Sequence, residues 1–486
     1  MSGHGETFSL AGPFEVKLDG MRGNLERVSP KIRPPLDDGF SPAALANRAY
    51  RTEVGEDGTP VVIGLEREAG QLSRFETCIF PEDHPRAPDN LAYIERLVKF
   101  LLWQRGGHTL YVGGPRAIGE ALQRIYSAQG ERRFDFHFMG EQVYERTFRV
   151  VACNAAEVPV GCESVRPLGR HLDGCRIGFD LGASDRKVSA LIDGRVVYSE
   201  EVVWAPRQQS DPGYHYREIL AGLRTAASKL PRVDAIGGSA AGIYIDNRPM
   251  VASLFRGVPP ERFGEVRSLF QRLREAMGVP LEVINDGDVT ALAGSMSLNE
   301  DGVLGIAMGS SEAAGYVDRD GHLKGWLNEL AFAPVDYSAE CPTDEWSGDA
   351  GCGAQYLSQQ CVFRLATRAG LQLPSDVTDA EKLASVQERL EAGHDGARRI
   401  WETMGTYLGY ALAHYADFYP IDHVLILGRC TSGSGGKLIL EGARAVLLTE
   451  FPELARRTRI RLPDERSRRV GQAIAAASLP ATAPPI

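Results

Sequence analysis

The chain lacks any apolar run of about 18 residues or more, the length a membrane-spanning helix requires. Its first residues, Met1-Ser2-Gly3-His4-Gly5, lack the apolar core of a signal peptide, so a cytoplasmic protein with no membrane partner is expected. Cysteine is sparse. Eight are scattered over 486 residues with no Cys-x-x-Cys pair, which speaks against a disulfide framework and predicts free, buried thiols. A basic excess is also missing: the net charge is −10 and residues 1–170 are close to charge balance, so no nucleic-acid partner is expected. There is no Walker A loop, because Gly436-Lys437 is followed by Leu438 instead of Ser or Thr. No segment fits a dinucleotide fingerprint well, and no repeat of about 30 residues recurs.

What is present is ordinary globular composition, 24% charged and 43% hydrophobic. The length exceeds one core and predicts two or three domains. Residues 1–40, rich in Pro and Gly, read as an extended arm. From about 60 to 152 elements alternate: "PVVIGLERE" as a strand, "NLAYIERLVKFLLWQRG" as a helix, "HTLYVGG" as a strand and "PRAIGEALQRIYSAQG" as a helix opened by Pro115. Gly113-Gly114 then serves a plain strand–turn–helix connection. "RFDFHFMGEQVYERTFRVVAC" alternates like one or two strands, with Phe134, Phe136 and Phe138 on one face and Asp135, His137 and Met139 on the other. The pattern breaks over 154–174, which divides the chain into an N-terminal domain of unknown role, 1–170, and a larger one, 171–486.

The larger part opens with "CRIGFDLGASDRKVSALIDGRVVYSEEVVW", three strands joined by tight turns, the second carrying Asp193-Gly194. Helices are expected over about 213–229, 261–277 and 396–417, and at the C-terminus after a strand at "RIRLP". Three Gly-rich turns each follow an apolar strand: Gly178 to Ser184, Met308 to Ser311, and Leu427 to Cys430. Glycine lets successive backbone amides approach a ligand and point at phosphate oxygens. A fourth strand, Leu281 to Ile284, ends on Asn285-Asp286. One reading makes Asp286 the N-cap of the next helix, with Asp288 as a rival; capping alone does not explain the neighbouring motifs.

The order of these pieces resembles the actin-like ATPase superfamily, and in detail the ROK group of bacterial sugar kinases, over residues 175–482. The resemblance implies an α/β, two-lobed, ribonuclease H-like core; residues 1–170, which match no family, are read as an additional N-terminal α/β domain, and a homodimer is expected. It implies ATP and Mg2+ as cofactors and a sugar or sugar-like small molecule as substrate. Asp180, Gly182, Ala183 and Ser184 would form the first phosphate turn, with Asp180 near the magnesium ion. Gly309, Ser310 and Ser311 would form the second, and the turn at Gly428 would lie against the adenosine; Arg429 stands where Gly is usual, either stacking on adenine or reaching a phosphate, or else as a solvated surface residue. Asp286 would be the general base and, with Asn285, would contact the sugar. In "GWLNELAFAP", Glu329 aligns with a Glu that binds sugar hydroxyls, while Asn328 and Ala331 replace glycines and Phe332 replaces a zinc-binding His. In "EWSGDAGC", Glu345 and Ser347 replace two zinc-binding cysteines and Cys352 remains. No zinc site is expected, since zinc takes about four ligands; Phe332 and Trp346 would pack the loop instead. Asp185 and Glu312 would put negative charge beside the triphosphate, which keeps a second reading in view: a catalytically weak or inactive sugar-binding or regulatory protein on the same fold. A DNA-binding repressor would need a basic helix-turn-helix, which residues 1–170 do not offer.

Overall fold

The computed structural model describes residue 25 and residues 28–163, 168–463 and 465–482. Most of the expected arm, and residues 164–167 of the expected break, lie outside the described residues. Residues 31–40 lie along the second lobe. Leu36 N donates to Thr403 Oγ1 (3.2 Å), Tyr410 Oη donates to Ile32 O (3.1 Å), and Arg368 pairs with Asp37 at 2.9 Å. α1 (Ala43–Val54) then packs beside the same long helix, α11 (Asp395–Tyr415).

The N-terminal unit has its own sheet, β1 (Thr59–Glu66), β2 (Leu72–Ile79), β3 (Thr109–Gly113) and β4 (Arg149–Cys153), in the order β2-β1-β3-β4. α2 (Asn90–Arg105) is buried along its whole length except at Leu91 and Arg96. A helix buried all round must be covered on every side and must find partners for its buried polar groups, here Glu95, Lys99, Gln104 and Arg105. Here the unit's own sheet covers one side and the second lobe the other. α3 (Arg116–Ile125) follows Pro115 as expected. The stretch from 133 corrects the sequence reading: it forms α4 (Arg133–His137) and a wider helical turn over 138–143 before β4, not a strand pair. Phe134 and Phe138, four residues apart, share one helical face with centroids 5.4 Å apart, and Phe138 packs on Trp103 at 5.1 Å. Asp135, which alternation would turn to solvent, is buried because Lys99 and the Trp103 indole both donate to it.

The first lobe comprises β5 (Cys175–Leu181), β6 (Asp185–Ile192), β7 (Arg195–Val203), α5 (Pro212–Ala227), β8 (Ala235–Ala240), β9 (Ile243–Ile245), β10 (Arg248–Val251), α6 (Phe263–Arg267), α7 (Leu269–Met277) and β11 (Leu281–Asn285). Its main sheet runs β11-β8-β5-β6-β7. The helix expected over 261–277 is broken at Ser268. Asp193 and Gly194 both have positive φ, as a two-residue hairpin turn demands. α8 (Asp286–Leu298) leads to the second lobe: β12 (Val303–Met308), β13 (Glu312–Val317), α9 (Gln359–Ala366), α10 (Asp379–Glu391), α11, β14 (His423–Leu427), α12 (Gly435–Glu450), α13 (Pro452–Arg457) and β15 (Arg459–Arg461); the last helix, α14 (Glu465–Ala477), returns to pack on β5 and β8 of the first lobe. The second lobe's sheet runs β13-β12-β14-β15. Both lobes therefore open with an antiparallel hairpin and continue with parallel strands, the two-lobed α/β plan expected from the sequence, with an added N-terminal α/β unit.

The cores show how the units join. The first lobe has its own cluster around Ile177, Phe179, Leu223 and Phe270. The N-terminal unit and the second lobe share a single one, which runs from Leu97 and Leu101 through Leu330 to Tyr415 and Ile426. The N-terminal unit meets the first lobe where Ile243 and Met250 join this shared cluster, and through Glu145, which pairs with Arg248 and, at 2.9 Å, with Arg267. Where the lobes meet, Gly287 at the start of α8 lies against Gly315 of β13. A Cβ built on Gly315 would stand 2.1 Å from Gly287 O. Backbone on both sides leaves no cheap relief, so Gly315→Ala should cost about 1–3 kcal/mol of stability in chemical denaturation; an unchanged midpoint would show that the lobes can part here.

Candidate active site

The parallel strands of the first lobe end at one edge, where α/β sheets bind ligands. Asp180 on β5 is level with Ser239 on β8, and Asn285 ends β11 level with Ala240. Asp180 is partly buried. Burial pushes its carboxyl above the usual range, although the Lys187 ammonium on the neighbouring strand opposes this.

The cap of α8 is neither of the two aspartates considered from the sequence. Asn285 Oδ1 accepts from Gly287 N at 2.6 Å, and Asn285 Nδ2 donates to Gly242 O at 2.8 Å. Asn285, expected at the sugar, thus secures the helix start and the loop after β8. Asp288 accepts from Asn328 Nδ2 (2.9 Å) and Tyr316 N (3.3 Å), binding α8 to the second lobe. Asp286 takes only a 3.0 Å bond from Gly287 N. Burial, and then the charge of Asp180, raise its pKa to about 6.

Glu329 reaches the same place from the second lobe. Its amide donates to Trp103 O (3.0 Å) and that of Asn328 to Gln104 O (2.9 Å), so the last turn of α2 fixes this backbone. Asn328 has φ +53°, a left-handed conformation that Asn tolerates better than most residues, which explains how it stands in for a glycine. Burial first, then the charges of Asp286 and Asp288, raise Glu329 to about 7; Asp288 is raised to about 7, chiefly by burial.

The glycine turns lie at the rims of the two lobes. In the first, Gly182 N donates to Asp185 O (2.9 Å) and Trp204 Nε1 to Gly182 O (2.8 Å), leaving Ala183 and Ser184 exposed. Asp185 does stand in this turn, but Lys187 pairs with it at 3.1 Å and Ser184 Oγ donates to it at 3.0 Å. In the second, Ser310 and Ser311 are exposed above Gly309. Gly428, φ +99°, abuts that turn: an added Cβ would stand 2.5 Å from Met308 O. The second and third turns thus form one continuous rim, with Arg429 exposed beside them.

Glu312 corrects the sequence reading. It is 2% exposed and points into the second lobe beneath the turn, where Tyr415 Oη donates to it at 3.0 Å. Burial raises its pKa to about 8, so it is mostly neutral at pH 7 and adds no charge to the rim. Strand parity held the signal, since Glu312, Ala314 and Tyr316 share the buried face of β13.

The residues at the expected zinc loop do not fit zinc. Phe332 packs between Trp103 (4.3 Å) and Trp346 (5.6 Å), and the Cys352 thiol donates to Phe332 O at 3.5 Å. Among the described residues, the side chains close enough together to hold a cation are Asp318, Asp320 and His322, and Lys324 already pairs with Asp318 at 2.9 Å. The eight cysteines form no disulfide, but only Cys175, Cys352, Cys361 and Cys430 are buried; Cys162 is exposed.

Beside Asn285 and Asp288 lies a cavity of about 220 Å³, walled also by Tyr244, Trp326 and, from the N-terminal unit, Arg67 and Tyr144. Sequence reasoning missed these walls, Lys187 and the role of α2. Only the adjacency of Lys187 to the first turn could have been read in advance. Among the described residues no helix is long and apolar enough to cross a membrane.

No family model and no curated protein matches the chain. Among solved structures it is similar to the ROK hexokinase of Thermus thermophilus, at 20% identity over 62% of this chain and 97% of that one, with a TM-score of 0.49. A ROK family glucokinase of Streptomyces griseus, solved with glucose and AMPPNP, is 18% identical over 62% of this chain and 99% of its own, with a TM-score of 0.46. A ROK family transcriptional regulator, a homologue of the E. coli MLC protein, is 18% identical over 63% and 79%, with a TM-score of 0.49. Kinases and a regulator stand side by side, and likeness at this level decides no activity.

Proposed function

We propose that the protein transfers the γ-phosphoryl group of ATP to a hydroxyl of a sugar or sugar-like molecule, with Asp286 as general base. The observation that carries this reading is the state of Asp286. Asn285 relieves it of capping, and burial, then the charge of Asp180, raise its pKa to about 6, closer to working pH, as a base requires. Burial raises all three carboxyls; the charge of Asp180 then adds to the rise at Asp286, and that of Asp286 to the rise at Glu329, with Lys187 as the cation beside Asp180. Such a set fits a divalent ion, which Asp180 would hold and which would supply charge neutralisation at the phosphates.

The chain's own residues do the rest. The exposed Ala183, Ser184, Ser310 and Ser311 orient the phosphates with their amides and hydroxyls, Gly309 shapes the second turn by donating to Ser311 O, and Gly428 and Arg429 border the nucleotide. Glu329 accepts from sugar hydroxyls, Asn285 adds a further contact, and Asp286 takes the proton of the attacking hydroxyl. Positioning and electrostatics supply most of the acceleration in phosphoryl transfer. The rival, non-catalytic reading rested on Asp185 and Glu312. The first is paired with Lys187 and the second is buried away from the rim, so neither favours it.

Coupled ADP release over hexoses, amino sugars and polyols tests the proposal. Sugar-dependent release is expected for at least one class, and binding of a sugar without release contradicts it. For an active sugar, kcat/KM should be flat above pH 7 and fall about tenfold per unit well below pH 6, because a base must be ionised. A flat profile down to pH 4.5 would remove Asp286 from that role.

A further inference from the structure

We propose that α2 of the N-terminal unit, centred on Lys99, does for the loop carrying Glu329 what a structural metal would do, making Lys99 a positioning residue for sugar binding. The inference rests on the reading of Glu329 as a sugar ligand.

The loop from 326 to 353 has no helix longer than a short turn; bridges of Pro334 with Cys352 and of Thr343 with Ala350 brace it internally, and what ties it to the rest of the molecule lies outside it. Its own metal-binding chemistry is gone, yet a buried cation remains. Asp349, in the stretch where cysteines were expected, is 1% exposed and faces three cations of the N-terminal unit: Arg132 at 2.6 Å, Arg96 at 3.3 Å and Lys99 at 3.6 Å. Lys99 is fully buried and donates to Asp135 at 2.7 and 2.9 Å. Burial opposes the ammonium charge, but Asp135 and Asp349 outweigh it and hold Lys99 above its usual pKa. Burial likewise opposes the Asp349 charge, while Arg96 and Lys99 hold that carboxyl below its usual range.

A buried ion network costs much if one partner is removed, and it fixes geometry when complete. One turn along α2 from Lys99, Trp103 stacks on Phe332 and its carbonyl accepts from Glu329 N; the Gln104 carbonyl accepts from Asn328 N. The same helix therefore grips the loop at Asp349 and sets the backbone at Glu329. This gives the N-terminal unit a task and explains why the loop can lack its metal ligands.

The test uses full-length protein and hydrogen exchange. In Lys99→Met, the amides of Asn328 and Glu329 should exchange about tenfold faster or more, while those of β5 and β8 stay within about twofold, because only the loop loses its anchor. Lys99→Arg should restore most of the protection. By calorimetry, D-glucose should bind about tenfold more weakly to Lys99→Met, with AMPPNP affinity within about twofold of wild type. Unchanged loop exchange, or equal loosening of both lobes, would overturn the proposal. If Lys99→Met does not fold, Asp349→Asn gives the same readout. If the wild type binds neither D-glucose nor AMPPNP, the kinase reading suffers, while the exchange result still decides the anchoring. Elemental analysis should find under about 0.1 zinc per chain, and about one per chain would contradict the substitution of a metal by side chains.

Discussion

Asp286→Asn should lower sugar-dependent turnover by about 10²-fold or more, the usual worth of a general base, with fold and sugar binding retained. The substitution is nearly isosteric. Its amide oxygen can keep the bond from Gly287 N, and the cap of α8 is untouched because Asn285 provides it. What is lost is the carboxylate that accepts the hydroxyl proton. The charge that helps raise Glu329 to about 7 is lost with it, so Glu329 should ionise at lower pH in the variant. Circular dichroism and chemical denaturation check the fold and calorimetry checks the sugar. Turnover near the wild-type value would reject the catalytic role and leave Asp286 as part of a ligand clamp.

Glu312→Gln should stabilise the protein at pH 7, by about 2–3 kcal/mol, an effect as large as many core truncations but opposite in sign. The direction follows from the titration. Folding raises this carboxyl from its ordinary value of 4.5 to about 8. Between those values the unfolded chain is ionised and the folded one protonated, so folding takes up a proton. Stability from this group is greatest below about pH 4.5 and falls as pH rises to about 8, at roughly 1.4 kcal/mol per unit. Glutamine is always neutral and avoids that cost. Its oxygen can still accept from Tyr415, and Glu312 Oε2 has no hydrogen-bond partner to lose. The gain should vanish near pH 4.5. A loss of stability at pH 7 would instead mean that Glu312 is charged and paired, which would restore an acidic group beneath the phosphate rim.

Much of the two-lobed architecture was legible because its signals are local. Turn residues such as Asp193-Gly194 and apolar strands such as Leu281–Ile284 report on their own neighbourhood. The Asn285-Asp286 pair at a strand end was legible too, but not the division of labour within it, which depends on Gly242 and Gly287 coming within reach. Illegible features were those set by distant partners. Phe134 to Phe138 reads as a strand until Lys99 and Trp103 draw Asp135 inward. The parity of β13 turns Glu312 inward, but its partner there, Tyr415, lies 103 residues away and leaves no local trace. Asp349 looks like a loop residue until three cations from α2 and its surroundings converge on it. The role of residues 28–153 was invisible for the same reason: it lies in contacts with the second lobe, not in a motif of their own.

The central claim is that this site moves phosphate onto a sugar. The most direct measurement is transfer of label from γ-32P-ATP to the sugars that bind, separated from inorganic phosphate, for wild type and Asp286→Asn side by side. The account predicts labelled sugar phosphate from the wild type in step with ADP, and about 10²-fold less from the variant. Sugar binding with no labelled sugar, or equal labelling by both proteins, would contradict it.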